Sequence, residues 1–330
     1  MGSEHRNTDS QQHAPEVVCL GETMLMLAPP PNELIEYCHH FTVLLGGAEA
    51  NTAIGLERLG LHAGWIGKLP RNALGQRIVN ETRSFGVDTS AVVWTEEGRV
   101  GLFFVEWGAR PRRIQTIYDR AGSTTTTLVP EELDWDYISK ARCLHLTGIT
   151  PALGKGCLGS IRDIAAQARS AGLMLSFDMN YRSMLWSEPE ARVALTDILP
   201  YTNLLVATEA EAAILLGTSL ERHEAISCLL DRYSLDVVVM TLGEEGAIAF
   251  DGQRVYHSPG YVVQPVNRLG AGDAFTAGML FGYLRSGVQS GLDYGTAMAA
   301  LKMTIPQNIP LSTKADVERL FGNCEADVLR

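Results

Sequence analysis

The stretch NRLGAGDAFTAG at residues 267–278 places one carboxylate, Asp273, directly behind a glycine-rich turn. From Ala274 the chain continues as AFTAGMLFGYLRSG, with apolar residues at helical spacing that end at Gly287. The pattern predicts a helix that begins near Gly272. Free backbone amides in its first turn would converge at the positive end of the helix dipole, which suits a phosphoryl group.

The carboxylate in this turn has two interpretations. Asp is favoured at helix N-termini, so Asp273 can be an ordinary capping residue. Alternatively, the amides of Gly270, Ala271 and Gly272 hold a transferring phosphoryl group while Asp273 takes a proton from a substrate hydroxyl. The chain contains no Walker A sequence and no protein-kinase H-R-D and D-F-G set. The second interpretation therefore predicts a kinase outside those two classes.

Outward from this turn, short apolar runs alternate with helical patterns. Three strand candidates precede helical patterns: AGWIGKL before 72–84, RCLHLTG before 155–170 and LMLSFDMN before 188–199. NLLVATE follows with a helix to Gly217, then DVVVMTLG with a hairpin through Asp251 and Gly252, and a last helix begins near 292. This order predicts an α/β fold in three α/β/α layers, with a mostly parallel central sheet covered by helices on both faces.

Two segments break the alternation, at 33–45 and 91–120. Both are rich in β-branched and aromatic residues and have no intervening helix, which is typical of antiparallel strands. A small β appendage beside the carboxyl ends of parallel strands commonly serves as a lid, although a sheet extension without function is the alternative. We predict a single domain over 16–330 with a lid formed by about 32–46 and 91–120.

Composition narrows the class of protein. With 330 residues, 46% of them hydrophobic, the chain can bury one large core. A net charge of −11 and the absence of any Lys/Arg block argue against a nucleic-acid partner. The six cysteines are scattered without a C-x-x-C pair, so neither a zinc site nor a disulfide framework is indicated. We expect reduced thiols and a cytoplasmic protein.

The N-terminal region gives no sign of a membrane partner. Residues 1–15 are polar and lack the apolar core of a signal peptide, so we predict a disordered tail. The run VVCLGETMLMLAPP that follows is interrupted by Gly21 and Glu22 and is too short to span a bilayer. We interpret this run as a strand candidate.

Two motifs stand far apart in the chain. GGAEANTAIGLERLG at 46–60 is a glycine-rich turn that opens a helix, and NRLGAGDAFTAG is close to the pattern D-T-x-G-A-G-D. With these motifs the chain resembles the ribokinase (PfkB) family of carbohydrate kinases over about 17–320. The resemblance implies a ribokinase-like fold with a β lid, ATP and Mg²⁺ as cosubstrate and cofactor, and Asp273 as general base.

Several segments resemble one group within that family, the 2-keto-3-deoxygluconate kinases. They are GGAEAN, IYDRAGS, LHLTGITPAL, DMNYRSMLW and TIPQNIPLST. The implied reaction is ATP-dependent phosphorylation of the terminal 6-hydroxyl of a 2-keto-3-deoxy sugar acid. Fructose or another ketose is the nearest alternative substrate. A catalytically silent sugar- or nucleotide-binding regulator is the alternative of a different class, against which retention of Asp273 argues.

A sugar acid carries a carboxylate, which a guanidinium binds by two parallel hydrogen bonds. Arg182 follows the strand candidate LMLSFDMN, and Arg120 lies where the predicted lid returns to the domain. The resemblance assigns Arg182 to carboxylate recognition and Tyr118 with Arg120 to the substrate pocket. Surface arginines that pair with acids are the alternative.

The turn that opens the N-terminal motif is the second candidate for substrate binding. The resemblance assigns this role to Gly47, Ala48, Glu49 and Asn51. Small residues would let a sugar approach the backbone, and an amide side chain can both donate to and accept from hydroxyls. Glycines that merely end a loop before a helix are the alternative.

The resemblance also places ATP. TLGEEGAIAF at 241–250 resembles the loop that lies over ATP, and ATEAEA at 207–212 falls where the family often has N-x-x-E. The implied ATP-binding residues are Asn180, Thr208, Thr241, Leu242, Gly243, Gly246 and Ala247. Glu211 is the candidate for contacting Mg²⁺ through water, but Thr208 and Glu211 also match a capping box.

Four positions depart from the family pattern. Asn267 replaces the Asp that often borders a monovalent-cation site, so activation by such a cation is doubtful. Phe103 and Asp119 stand where a Tyr is usual, and Asn308 stands where a Gly-Asp pair is common. Phe103 and Asn308 remain candidate substrate-binding residues, and such changes can alter selectivity strongly. The apolar segment VGLFFVEW suggests a homodimer that forms through the lid.

Overall fold

The computed structural model describes residues 14–31, 33–108 and 111–321. Within these ranges the strands are β1 (Val17–Leu20), β2 (Met24–Ala28), β3 (Thr42–Gly46), β4 (Ala63–Ile66), β5 (Lys68–Pro70), β6 (Val93–Thr95), β7 (Leu102–Glu106), β8 (Gln115–Asp119), β9 (Cys143–Thr147), β10 (Met174–Asp178), β11 (Leu204–Thr208), β12 (Val237–Thr241), β13 (Gly246–Phe250) and β14 (Val255–Pro259). The helices are α1 (Ala48–Leu59), α2 (Ala73–Ser84), α3 (Trp135–Ile138), α4 (Lys155–Ser170), α5 (Glu188–Thr196), α6 (Glu209–Leu216), α7 (Arg222–Tyr233), α8 (Ala271–Ser286), α9 (Val288–Met303) and α10 (Lys314–Phe321).

The main sheet has the strand order β14-β13-β12-β11-β10-β9-β1-β4. The neighbouring strands β12, β11, β10, β9, β1 and β4 are all parallel, and β13 and β14 add an antiparallel edge next to β12. The strand VVVMT is buried over its first four residues, as expected for a parallel strand covered on both faces. The predicted α/β fold with a mostly parallel sheet is confirmed.

Alternate residues of each strand enter the cores on opposite faces of this sheet. On β9, Leu144 and Leu146 pack with residues of α4 and α5, whereas Cys143 packs with residues of α1 and α8. Leu204 and Val206 of β11 join a third cluster with α8 and α9. Because successive side chains of each strand face opposite sides of the sheet, one layer of helices packs on each side. This is the predicted α/β/α arrangement.

A separate small sheet has the order β3-β2-β7-β8. Of the segment 33–45, only Thr42 and the residues after it form a strand, while 34–37 contain turns. The start of the segment 91–120 does not join this sheet, because β6 pairs with β5 in a two-stranded sheet. Residue 32 and residues 109–110 of the predicted lid, and 1–13 of the predicted tail, lie outside the described residues.

The run VVCLGETMLMLAPP is two strands in two sheets. Its first half is β1 in the main sheet, and its second half is β2 in the small sheet. The chain crosses between the sheets at Gly21, Glu22 and Thr23, which are buried although two of them are polar. Similarly, α9 begins at Val288 and not near 292, because Gly287 alone separates it from α8.

None of the described helices is both long enough and apolar enough to cross a membrane. The cysteines in the described residues, Cys19, Cys38, Cys143, Cys157 and Cys228, are all free thiols. Cys324 lies outside the described residues.

Candidate active site

Asp273 lies in the first turn of α8, as the sequence predicts. Gly270 precedes the helix in the left-handed region, with φ of 81°, and an added Cβ there would collide with the carbonyl oxygen of Asn308. Only glycine therefore fits this turn. The amide of Ala271 donates to the carbonyl of Arg268 at 3.2 Å. The amides of Gly272 and Asp273 lie in the first turn of the helix, where no helix carbonyl is available to accept from them. The turn can hold an anion.

The environment of Asp273 makes its carboxylate a stronger base. Burial raises its pKa above the ordinary value, and a hydrogen bond from Asn51 opposes the rise. The Nδ2 atom of Asn51 donates to Oδ2 of Asp273 at 2.7 Å. The positive charges of Arg182 and Lys302 also oppose the rise but do not cancel it. The carboxylate is thus buried, oriented and ready to accept a proton.

A cavity of about 90 Å³ lies against this carboxylate, and we call it the Asp273 cavity. Its walls combine residues of the small sheet with residues of α1 and the turn before α8. The sequence candidates that line it are Gly47, Ala48, Asn51, Phe103, Tyr118, Arg120, Arg182, Gly270, Asp273 and Asn308. A wider vestibule of about 930 Å³ adjoins it, because Tyr118, Arg120 and Arg182 line both spaces. One continuous site therefore brings together candidates that lie far apart in sequence.

The two arginines of this site differ in their partners. Arg120 is buried and paired with Glu22, which also accepts a hydrogen bond from Ser123. Arg182 is exposed and has no carboxylate partner within 4.0 Å among the residues that the structure describes. Because Glu22 already neutralises Arg120, the guanidinium of Arg182 is the more available one for an anionic ligand.

Two aromatic rings form the wall contributed by the small sheet. Phe103 and Tyr118 face each other across β7 and β8 and stack with ring centroids 5.6 Å apart. The guanidinium of Arg120 lies over the Tyr118 ring at 5.6 Å. Position 103, where a tyrosine is usual, thus contributes an apolar ring to the cavity.

Glu49 and Asp119 lie outside the Asp273 cavity. The Oε1 atom of Glu49 accepts hydrogen bonds from Thr147 at 2.7 Å and from Thr150 at 3.3 Å. Burial raises the pKa of Glu49 to about 7. Asp119 is exposed and accepts two hydrogen bonds from Arg99, at 2.6 and 2.8 Å, which hold its pKa below the usual range.

Asn267 forms hydrogen bonds that hold the start of the glycine turn. Its side chain donates to the carbonyl of Pro306 at 2.7 Å and accepts from the amide of Leu269 at 2.9 Å. Its carbonyl accepts from Nζ of Lys302 at 2.9 Å. An aspartate could not donate to Pro306, so the departure at position 267 has a local structural use. Lys302 is fully buried, and its burial lowers the pKa to about 8.

On the other side of the glycine turn lies a cleft of about 480 Å³, which we call the Gly243 cleft. Gly243, Gly246 and Ala271 line it, as do Arg268 and Phe275. Sequence candidates that do not line it are Asn180, Thr208, Thr241, Leu242 and Ala247. Thr241 and Ala247 are instead paired across β12 and β13.

Glu211 occupies the capping box that the sequence suggests. Its oxygens accept from the amides of Thr208 at 2.7 Å and of Tyr181 at 2.6 Å, and Thr208 caps α6 in return. Asp178 lies beside it at the end of β10, and burial with the nearby charge of Glu211 raises the pKa of Asp178 well above its ordinary value. A divalent cation would relieve this repulsion, so the two carboxylates suit Mg²⁺ held through water.

The described residues contain no cluster of three or more His, Cys, Asp or Glu side chains that could hold a metal ion by themselves.

Sequence inspection missed several residues of both spaces. In the Asp273 cavity they are Glu22, Met24, Met26, Gly46, Thr116, Ile149 and Leu269, and in the Gly243 cleft they include Tyr261, Val262, Val263, Arg268, Ala299, Ala300 and Met303. The interruption of an apolar run by Gly21 and Glu22 was the one local signal for Glu22. Val262, Val263, Ala299 and Ala300 of the cleft belong to no motif.

Comparisons with known proteins identify similar carbohydrate kinases. Residues 14–313 match the profile of the pfkB family carbohydrate kinases. The 2-dehydro-3-deoxygalactonokinase of Haloferax volcanii is 37% identical over 316 residues, which cover 96% of this chain and 99% of that protein. The 2-dehydro-3-deoxygluconokinase of Bacillus subtilis is 30% identical over 299 residues, with 88% and 90% covered.

A solved structure shows the same likeness. The crystal structure of the 2-dehydro-3-deoxygluconokinase of Thermotoga maritima matches with a TM-score of 0.88 at 33% identity, covering 94% of this chain and 99% of that one. The resemblance drawn from the two sequence motifs is therefore confirmed at the level of fold and family. The chain belongs to the PfkB family of carbohydrate kinases.

Proposed function

We propose that this carbohydrate kinase transfers the γ-phosphoryl group of ATP to the terminal 6-hydroxyl of a 2-dehydro-3-deoxy sugar acid, the gluconate or its galactonate epimer. The observation that carries the proposal is that Asp273 and Arg182 line the same cavity. A base for a hydroxyl and a cation for a carboxylate therefore face one small ligand. The named activities of the relatives from Haloferax volcanii, Bacillus subtilis and Thermotoga maritima support the same substrate class.

In this proposal the glycine turn separates the two substrates. The sugar acid binds in the Asp273 cavity and ATP in the Gly243 cleft, on opposite sides of Gly270, Ala271 and Gly272. Asp273 accepts the proton of the 6-hydroxyl while the oxygen attacks the γ-phosphorus in line, and ADP leaves with the electrons of the broken P–O bond. The amides of the turn stabilise the charge on the transferring group.

Mg²⁺ bound with the phosphates would neutralise part of their charge and orient them. Glu211 and Asp178 are the side chains that would hold its water ligands. Asn267 and Lys302 keep the turn in place through the hydrogen bonds described above, so a bound monovalent cation is not needed for that purpose.

Carboxylate recognition is assigned to Arg182, with Arg120 and Tyr118 shaping the pocket. Gly47 and Ala48 let the sugar approach the backbone, and Asn51 and Asn308 offer amide groups to hydroxyls. The small sheet contributes Phe103 and Tyr118 to the cavity wall, so we assign it the role of a lid that excludes water during transfer.

The same small sheet is our proposed site of homodimer formation. Its outer strand β8 has exposed residues at alternate positions, Ile117 among them with 54% of its surface exposed. Light scattering of the purified protein tests this, and a monomer at all concentrations would contradict it.

The test of function is ADP release with Mg-ATP and a panel of acceptors: 2-keto-3-deoxygluconate, its galacto epimer, 5-keto-2-deoxygluconate, fructose, ribose and adenosine. We expect a clear preference for the 2-keto-3-deoxy acids. In Arg182→Ala the KM for these acids should rise about tenfold or more, because a charged hydrogen-bonded pair is lost. Arg162→Ala is the matched control, since Arg162 is an exposed arginine on α4 paired with Asp163.

The other outcomes separate the alternatives. Turnover with fructose alone, unaffected by Arg182→Ala, would keep Asp273 as the base and remove the sugar-acid assignment. Binding of a sugar without any ADP release across the panel would favour a silent regulator over an enzyme.

A further inference from the structure

The Gly243 cleft contains a single basic side chain among the described residues that line it. That side chain is Arg268, and the other charged residue of the lining is Glu244. The remaining lining consists of glycines, small or apolar residues, Tyr261 and Thr296. A triphosphate bound in a cleft of this composition has one side-chain cation within the lining itself.

The backbone of Arg268 is fixed next to the anion-holding turn. Its carbonyl accepts the hydrogen bond from the amide of Ala271, the first residue of α8. The preceding residue, Asn267, is buried and hydrogen-bonded on both sides of its side chain. The backbone of Arg268 is therefore fixed next to the amides that would hold the transferring group, and its side chain extends from this position.

The guanidinium of Arg268 pairs with Glu244, which also lines the cleft. The two side chains are 3.4 Å apart, and 57% and 88% of their surfaces are exposed. An exposed pair with this single long contact contributes little stability. Glu245, next in the chain, is instead held by Arg222 through two contacts of 2.7 and 2.8 Å. Glu244 is thus a weak partner that a stronger anion can displace.

We propose that Arg268 is a phosphate-binding residue that leaves Glu244 and pairs with the terminal phosphates of Mg-ATP when the nucleotide enters the cleft. The guanidinium fork matches phosphate oxygens by two parallel hydrogen bonds, which Glu244 does not receive. The inference rests on the proposed use of ATP. It adds a second arginine to the proposed site, so that Arg182 binds the acceptor and Arg268 binds the donor.

The experiment is isothermal titration calorimetry with Mg-ATP and, separately, with adenosine, in the absence of any sugar. We expect Arg268→Gln to weaken Mg-ATP binding about tenfold to a hundredfold and to leave adenosine binding within about twofold. Arg268→Lys should fall between, because it keeps the charge and loses the fork. Glu244→Gln should tighten Mg-ATP binding, because the competing carboxylate is gone.

Arg222→Gln is the matched control, since Arg222 is an exposed arginine near the same loop that does not line the cleft. Equal binding of Mg-ATP by Arg268→Gln and wild type would overturn the proposal. Equal loss of Mg-ATP and adenosine would also overturn it, because the effect would then not depend on phosphate.

Failure of the proposed function has a different signature. If wild type binds Mg-ATP in an Arg268-dependent way but phosphorylates no sugar acid, the substrate assignment fails and Arg268 keeps its role.

Discussion

The Asp273 cavity and the Gly243 cleft lie on opposite sides of one glycine turn, yet they are built differently. The cavity is lined by side chains that hold each other, such as Asn51 with Asp273 and Arg120 with Glu22. The cleft is lined mainly by glycines and small or apolar residues. A mutual network cannot change at one position without disturbing its neighbours, so we expect selectivity to reside in the cavity.

The largest loss of turnover is expected at Asp273, which lines the cavity and lies in the first turn of α8. Asp273→Asn removes the base while preserving size, so turnover should fall by at least about a hundredfold. Binding of Mg-ATP should stay within about threefold, because the amides of the turn remain. Steady-state ADP release and calorimetry measure the two quantities.

Asp236→Asn is a control for Asp273→Asn. Asp236 accepts a hydrogen bond from Asn203 and does not line the cavity. Near-normal turnover in Asp273→Asn would remove Asp273 from the role of base. Loss of Mg-ATP binding in parallel with turnover would show instead that the turn had collapsed, and would break the separation of the two spaces.

A smaller loss of turnover is expected from substitution of Asn51, which donates a hydrogen bond to Asp273. Its hydrogen bond favours the ionised form of Asp273, so Asn51→Ala should raise the pKa of Asp273 further. Because the base works only when deprotonated, the acid limb of the kcat/KM profile should move to higher pH. Turnover at neutral pH should fall about tenfold, the scale of a lost charged hydrogen bond.

The matched control for this change is Asn80→Ala on the exposed surface of α2, where the amide oxygen of Asn80 accepts a hydrogen bond from Gln76. A pH profile of Asn51→Ala that falls in height without moving along the pH axis would show that Asn51 binds substrate and does not tune Asp273.

Much of the architecture was predictable because it depends on local patterns. The buried runs of β9 to β12 and the helix after Gly270 follow from hydrophobic periodicity and a glycine turn. The split of VVCLGETMLMLAPP between two sheets was not predictable in this way, because strand propensity does not say which sheet a strand joins.

Contacts within the Asp273 cavity were also not predictable from local sequence patterns. Glu22 and Arg120 are 98 residues apart and meet only because the chain enters the small sheet at one and leaves it at the other. Val262, in the loop after β14, and Ala300, in α9, line the cleft without belonging to any motif. Arg120 and Asn51 were assigned to the site from sequence, but their pairing with Glu22 and Asp273 was not, because these partners are distant in the chain.

Substitution of Glu49 tests whether this residue lies outside the Asp273 cavity. Its folded pKa of about 7 exceeds the ordinary value of 4.5, so the folded protein binds more protons than the unfolded chain between these values. Its contribution to stability is therefore lost as pH rises from 4.5 to 7. Glu49→Gln stays neutral, so its stability relative to wild type should grow over this range, by up to roughly 3 kcal/mol.

Urea denaturation of Glu49→Gln and wild type at pH 5 and pH 8 measures this difference. KM for the acceptor should stay within about twofold, because Glu49 contacts Thr147 and Thr150 behind the cavity. A large rise in KM with unchanged stability would show that Glu49 contacts the sugar and belongs to the cavity wall.

The smallest effect is expected at Asp119, which adjoins Tyr118 on β8. Successive side chains of a strand point to opposite faces, so Tyr118 lines the cavity while Asp119 pairs with Arg99 outside it. Asp119→Asn should change kcat/KM by less than about twofold, whereas Tyr118→Ala should lower it about tenfold, because it removes a ring that stacks on Phe103. Equal losses in both variants would mean that the lid acts through its overall order. A loss confined to Tyr118→Ala would locate recognition in the face of the small sheet that meets the substrate.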